Sequence, residues 1–250
     1  MELQPRNRRF DLDERIPRHW HGGRRSITTF FDNLSIFFPP GERFFIEAVH
    51  AHRSRVTDEQ LLSDIRGFCA QEGFHSREHV RYNALLESRG YPAAELERRV
   101  EALLDRVRGR STKRIRLAIT CALEHFTALM AHPVLDDERT LEGADPVMAA
   151  LWRWHAGEEQ EHKAVAFDVY RAVGGTYAER TTAMIGATAV FWSRVIVQQV
   201  AMMRADGTAA SVPEWLALVH FLFVSPGGMR GVVRRYFAYF RPGFHPNDVD

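Results

Sequence analysis

The spacing of apolar residues predicts helices along nearly the whole chain. Residues 93–108 show it most plainly, with Leu96, Val100, Leu103, Leu104 and Val107 on one face of a charged segment, the three-and-four interval of an amphipathic helix. Period-two alternation is scarce, and no β-rich run is bounded by hairpin turns. Start and stop residues divide the helical sequence. Pro39-Pro40-Gly41 closes an aromatic segment (Phe30, Phe31, Phe37, Phe38) and predicts a helix over 42–55, because proline is tolerated at a helix start and poor inside one. Thr57 or Asp58 caps a second helix that runs to about Ser88, where Gly90 and Pro92 stop it. After the 93–108 helix, Gly109 and Ser111 interrupt the pattern. Helical sequence resumes to about Met130 and ends at His132-Pro133. Asp145-Pro146 opens a helix reaching Gly174-Gly175, and the apolar remainder breaks near Gly207 and at Pro226-Gly227-Gly228. No fixed repeat is present. The predicted class is all-α, a four-helix bundle core with extra C-terminal helices.

Composition narrows this little. The 250 residues are 45% hydrophobic and 26% charged, which excludes disordered and collagen-like classes. A net charge of +1 argues against bulk nucleic-acid binding. The only cysteines, Cys69 and Cys121, exclude a disulfide framework and a cysteine-based zinc site. MELQPRNRRF lacks the apolar stretch of a signal peptide, so the location is read as cytoplasmic. Residues 1–25 hold seven Arg against four acids and read as a mobile basic arm ahead of a single domain over 26–246. Residues 183–203 are apolar but contain Arg194, Gln198 and Gln199, short of the uninterrupted run a spanning helix needs. Residues 215–224 are too short to span. Both are expected as core or interface helices, with homodimer packing or a peripheral membrane contact as their further uses.

Candidate chemistry enters with the 12 His, eight of which lie between His50 and His162 among glutamates. Three Glu-x-x-His motifs occur: Glu47…His50, Glu72…His75 and Glu159…His162. At i and i+3 two side chains leave one helix face and can reach the same metal. A dinuclear carboxylate site in a bundle takes one Glu from each of two helices and Glu-x-x-His from each of the other two. Glu42, Glu72 with His75, Glu124, and Glu159 with His162 supply that set in chain order, enough for two divalent ions. Four acids inside a bundle without cations would repel one another and carry a large desolvation cost. His79 and His155 share the ligand stripes and are expected as additional ligands or as hydrogen-bonding neighbours. Glu158 is a substitute for Glu159. His125 points away from Glu124, and the Glu47–His50 pair lies on another face from Glu42.

Four segments carry a resemblance: Phe-Pro-Pro-Gly-Glu-Arg-Phe-Phe (38–45), Gln-Glu-Gly-Phe-His-Ser-Arg-Glu-His (71–79), Ala-Leu-Glu-His-Phe-Thr-Ala (122–128) and Trp-His-Ala-Gly-Glu-Glu-Gln-Glu-His-Lys-Ala-Val-Ala-Phe-Asp (154–168). With the closing Arg-Pro-Gly-Phe-His-Pro (241–246), they resemble the bacterial "predicted metal-dependent hydrolase" family, which groups with the ferritin-like superfamily. The resemblance spans about 26–246, and Asn247 stands where an aromatic residue is usual. It implies a ferritin-like helical core and a dinuclear metal site. It also implies that Glu42, Glu72, His75, His79, Glu124, His155, Glu159 and His162 are ligands or hydrogen-bonded to ligands. On ligand chemistry the preferred activity is oxygen activation by two iron ions acting on a small, hydrophobic substrate. The alternative, favoured by the family name, is hydrolysis by a metal-activated water with manganese or zinc also suitable. The third reading is a non-catalytic metal-binding protein.

Overall fold

The structure, a computed structural model, describes residues 3–249, and among them the regular structure is helical, with no strand beyond a single bridge between His21 and Ala144. The helices are α1 (Arg25–His50), α2 (Glu59–Ser88), α3 (Ala93–Arg110), α4 (Lys113–Asp136), α5 (Pro146–His162), α6 (Val165–Ala172), α7 (Tyr177–Ala205), α8 (Val212–Phe223) and α9 (Gly228–Tyr236). Their starts follow capping chemistry. The carboxylates of Asp58 and Asp145 accept from backbone N–H groups of the first turns of α2 and α5. Thr112 does the same for α4, and Thr176 with Glu179 forms a reciprocal cap on α7.

Four helices carry the buried glutamates. α1 packs on α2, α4 on α5, α1 on α4, and α2 on α5. Each crosses from one apolar cluster to another. On α1 the first cluster ends at Ile36 and the second begins at Phe44; α2 runs back from Phe68 to Tyr82. α4 passes from Ala122 toward Ala131, and α5 from Trp154 and Ala156 toward Val165, the first residue of α6. The polar residues between those boundaries therefore share one layer of the interior, walled off by hydrocarbon on both sides.

Four expectations need correction. First, Pro39-Pro40 does not start a helix; both prolines lie inside α1. Pro39 has no N–H for the Ser35 carbonyl, and Asn83 Nδ2 donates to that carbonyl instead, at 3.3 Å. Second, the 1–25 segment is packed over its described part. Phe10, Ile16, Trp20 and His21 are buried, and the Phe10 ring lies 5.4 Å from that of Trp154. Apolar residues interspersed among the arginines anchor it. Third, the helix expected over 146–174 breaks directly after His162 into α5 and α6, and α4 continues through Pro133 to Asp136. Fourth, by length and composition α4 and α7 are apolar enough to cross a membrane, and the bent pair of α8 with the segment Gly228–Phe240 would add a third. The mean hydropathy of a window absorbs one Arg and two Gln. The apolar window of α4 is 67% buried, whereas that of α7 is only 22% buried.

Candidate metal centre

All of the sequence-derived candidates, Glu42, Glu72, His75, His79, Glu124, His155, Glu158, Glu159 and His162, are buried in the layer between the two clusters. Three groups of them bring one ligand atom each to within 4.8 Å of one another: Glu42–His75–His155, Glu72–His75–Glu159 and Glu72–Glu124–His162. His75 and Glu72 each belong to two groups, so the three are contiguous. His162 Nε2 lies 3.2 Å from Glu72, 3.6 Å from Glu124 and 3.5 Å from Glu159. His75 Nδ1 lies 3.9 Å from both Glu72 and Glu159. The His75 and His155 rings stack at 4.1 Å.

The outer edges of the imidazoles fix which nitrogen faces inward. Gln71 donates from Nε2 to Glu161, so its Oε1 is an acceptor and takes the N–H of His162 Nδ1 at 3.1 Å. The nitrogen left facing the acids, His162 Nε2, carries the lone pair. Glu158 Oε2 accepts from His75 Nε2 at 3.0 Å, which turns the bare Nδ1 inward. A third chain does the same for His155. Asn83 donates from Nδ2 to the Ser35 carbonyl and to Glu97, so its Oδ1 accepts the Ser35 hydroxyl proton. Ser35 Oγ then accepts from His79 Nδ1 at 2.8 Å, and neutral His79 accepts at Nε2 from His155 Nδ1, also at 2.8 Å. His155 Nε2 is left with a lone pair 2.9 Å from Glu159 Oε1, two acceptors that need a cation or a proton between them.

The carboxylates show the same deficit. Both oxygens of Glu42, Glu72 and Glu124, Oε2 of Glu159, Nδ1 of His75 and Nε2 of His162 are buried without a hydrogen-bond partner among the described residues. Native interiors rarely tolerate even a few such atoms, and here they converge on one spot. Burial, followed by repulsion from neighbouring acids, raises Glu42 and Glu124 well above the usual carboxylate range. Burial raises Glu72 too, against the pull of His162. Burial also works on Glu159, but the imidazole nitrogens of His155 at 2.9 Å and His162 at 3.5 Å outweigh it wherever they carry a proton, and hold that carboxyl well below the range. The nearness of Glu159 and Glu72 raises His162 despite its burial, whereas burial and the neighbouring His155 keep His75 and His79 well below the ordinary histidine value. Protons gather where inward-facing oxygen and imidazole donors meet, and divalent cations suit the same donor set. By this test the residues fit a metal centre.

Two placements refine the candidate set. His155 joins a ligand group with Glu42 and His75, whereas His79 holds it from behind. Glu158 stays outside the three groups: its Oε2 holds His75, and its Oε1 accepts the Arg6 backbone N–H at 2.9 Å. Glu47 lies on the surface with Arg108. Sequence reasoning missed Arg6, Gln71, Ser35 and Asn83. A signal existed for two of them, since Gln71, His75, His79 and Asn83 form one i, i+4 series on α2.

A cavity of about 610 Å3 borders the centre on the Glu42 side, between α1, α3, α4 and α7. A smaller hollow reaches His155 and Glu159 and shares Leu34, Phe38, Thr127 and Met130 with it as walls.

A family model described as "Predicted metal-dependent hydrolase" matches residues 4–250. No curated protein and no solved structure matches the chain significantly.

Proposed function

The chain belongs to the predicted metal-dependent hydrolase family, and from that premise we propose that this metal-dependent enzyme hydrolyses its substrate at a dinuclear centre on a ferritin-like four-helix bundle formed by α1, α2, α4 and α5. The observation that carries the reading is the convergence of unpaired inward donors on four helices. Glu72, Glu124, Glu159 and His162 are the donors for one ion. Glu42, Glu72, His75, His155 and Glu159 would hold the second, so Glu72 and Glu159 belong to both sets. When bound, two divalent ions supply an acidified water and a clamp for the oxygens of the bond under attack. The protein's own part is orientation. Gln71, Glu158 and His79 hold the three imidazoles in one tautomer and one rotation each. Glu42 faces both the centre and the cavity, so it is the group placed to take a proton from water attacking a substrate that enters there. The hydrocarbon on either side of the layer keeps bulk water away and strengthens each charge interaction within it.

Metal analysis of protein purified without added metal, followed by ester and phosphoester turnover before and after chelation, tests the proposal. Turnover should vanish on chelation and return on adding back the metal found. Glu72→Ala and Glu124→Ala should each lose metal; full retention of metal in both would sink the centre itself. A second reading, oxygen activation by two iron ions, is supported by the carboxylate-rich donor set and the apolar cavity beside it. It requires iron as the metal found and dioxygen uptake with a reductant. Zinc- or manganese-loaded protein indifferent to dioxygen would eliminate it.

A further inference from the structure

The cavity beside Glu42 has a shape as well as a volume. Its wall on α4 runs from Ile115 to Met130 and its wall on α7 from Ala178 to Arg194, which at ~1.5 Å per residue makes a length of about 22–24 Å. Spread over that length, a volume of about 610 Å3 is a narrow slot rather than a bowl. The sequence of α7 builds it. Ala183, Gly186, Ala187 and Val190 lie at three- and four-residue spacing on the face toward the cavity, and a Cβ on Gly186 would meet nothing within 4 Å. Opposite stand Phe37, Phe45, Leu104, Ile119 and Phe126. The slot's buried polar group is Glu42, 1% exposed and with both oxygens unpaired.

The level of Glu42 along the slot follows from the packing of α1 on α7. Asn33 Nδ2 donates to the Val195 carbonyl, and the rings of Phe37 and Phe191 lie 5.4 Å apart. The two helices are therefore antiparallel, and the same register brings Glu42 level with Gly186 and Ala187, near mid-length. A mostly hydrocarbon slot with its one buried acid halfway along, and Glu179 and Arg194 at its ends, suits a ligand that is aliphatic on both sides of a reacting group. It does not suit a compact polar one, whose groups would find few partners on the hydrocarbon stretches between Glu42 and the ends. The length exceeds the roughly 15 Å that one leaflet's chains occupy in a bilayer core.

We propose that this slot binds a single long unbranched aliphatic chain and that the substrate is an aliphatic ester lying along it with its carbonyl at Glu42. The acyl bond type rests on the hydrolytic function proposed above; the chain site itself does not. In hydrolysis the acyl carbon–oxygen bond breaks, water's oxygen joins the acyl carbon, and its two protons end on the departing alcohol and the carboxyl group.

The test uses the metal-loaded full chain. Binding of hexanoate, decanoate, myristate and palmitate is measured by calorimetry, and hydrolysis of the matching p-nitrophenyl esters is followed alongside. Each added methylene should tighten binding roughly threefold to fourfold until the slot is full, at one chain per protein. Gly186→Trp, which fills the slot at the level of Glu42, should weaken palmitate at least about tenfold while helicity and metal content stay at wild-type values. Ala187→Phe, a second filling variant, guards against misfolding of the first. Affinity independent of chain length, many chains per protein, or unchanged palmitate binding in both well-folded variants would overturn the proposal. Tight one-to-one binding without ester turnover would leave the slot standing and remove the hydrolytic reading. Turnover with no preference for chain length would do the reverse.

Discussion

At the scale of single residues, the candidate centre is shaped by groups outside its three ligand sets. Glu158 accepts the outer N–H of His75 while fastened to the backbone of Arg6. Removing the acceptor frees the ring to rotate and to change tautomer. Glu158→Ala should weaken metal binding about 10–100-fold in competition with a chelator, and Glu158→Gln, which keeps a carbonyl acceptor, should fall between that variant and the wild type. Asp32, outside the centre, makes a different prediction. It is fully buried, and its Oδ1 accepts from Trp20 Nε1 at 2.9 Å and Tyr82 Oη at 2.5 Å. Burial pushes its carboxyl from 3.8 up to about 7 against those two hydrogen bonds. The native state thus keeps a proton that the unfolded chain releases, so stability falls as pH rises from about 4 to about 7 and is level beyond. A displacement of that size corresponds to ~4 kcal/mol. Asp32→Asn, which retains the Oδ1 acceptor, should remove this component from the pH dependence of the urea midpoint. An unchanged slope across that interval would show that Asp32 is ionised in the folded protein.

At the scale of elements, the structure shows which sequence signals carry physical weight. The starts of α2 and α5 were legible because Asp58 and Asp145 satisfy backbone N–H groups locally, whereas Thr112 and Thr176 cap α4 and α7 where the sequence showed only breaks at Gly109–Ser111 and Gly174-Gly175. The acids and histidines were legible as candidates because spacing on a helix sets which side chains share a face. Their placement in one layer was not, since it depends on how the helices cross. Pro39-Pro40 misled for the same reason. The donor that takes over the Ser35 carbonyl comes from Asn83 on another helix, 48 residues away. The break between α5 and α6 falls at Lys163-Ala164 with neither Gly nor Pro, so nothing local announces it. Asn83 therefore serves two purposes: it mends α1 at the prolines and anchors the Ser35–His79–His155 chain. Asn83→Ala leaves the Ser35 carbonyl without that donor and the Ser35 hydroxyl without an acceptor, at an expected cost of ~1–3 kcal/mol. The loss should appear in the denaturation midpoint. Metal affinity should fall with it, which a defect confined to α1 packing would not cause.

At the scale of the whole molecule, the apolar surface is distributed unevenly. α1, α2, α4 and α5 bury their hydrocarbon around the centre. α7, α8 and the α9 region leave Ile185, Ile196, Val197, Leu216, Val219, Phe223, Val233 and Phe237 45–65% exposed. Exposed hydrocarbon on this scale is uncommon on a free monomer and marks a surface that meets something. The charge nearby favours one partner. Between Val212 and His245 there are four arginines, Arg230, Arg234, Arg235 and Arg241, against the single acid Glu214, a bias that matches anionic lipid headgroups beside an apolar face. Val190, 44% exposed on α7, also lines the slot. The protein should therefore sediment with vesicles containing anionic phospholipid and much less with neutral vesicles, more weakly as salt rises. Ile196→Glu with Leu216→Glu, both on exposed positions, should reduce sedimentation while leaving metal content intact. A self-association interface would behave differently: the same pair would shift the sedimentation coefficient in lipid-free buffer, and wild-type binding would show no dependence on lipid charge.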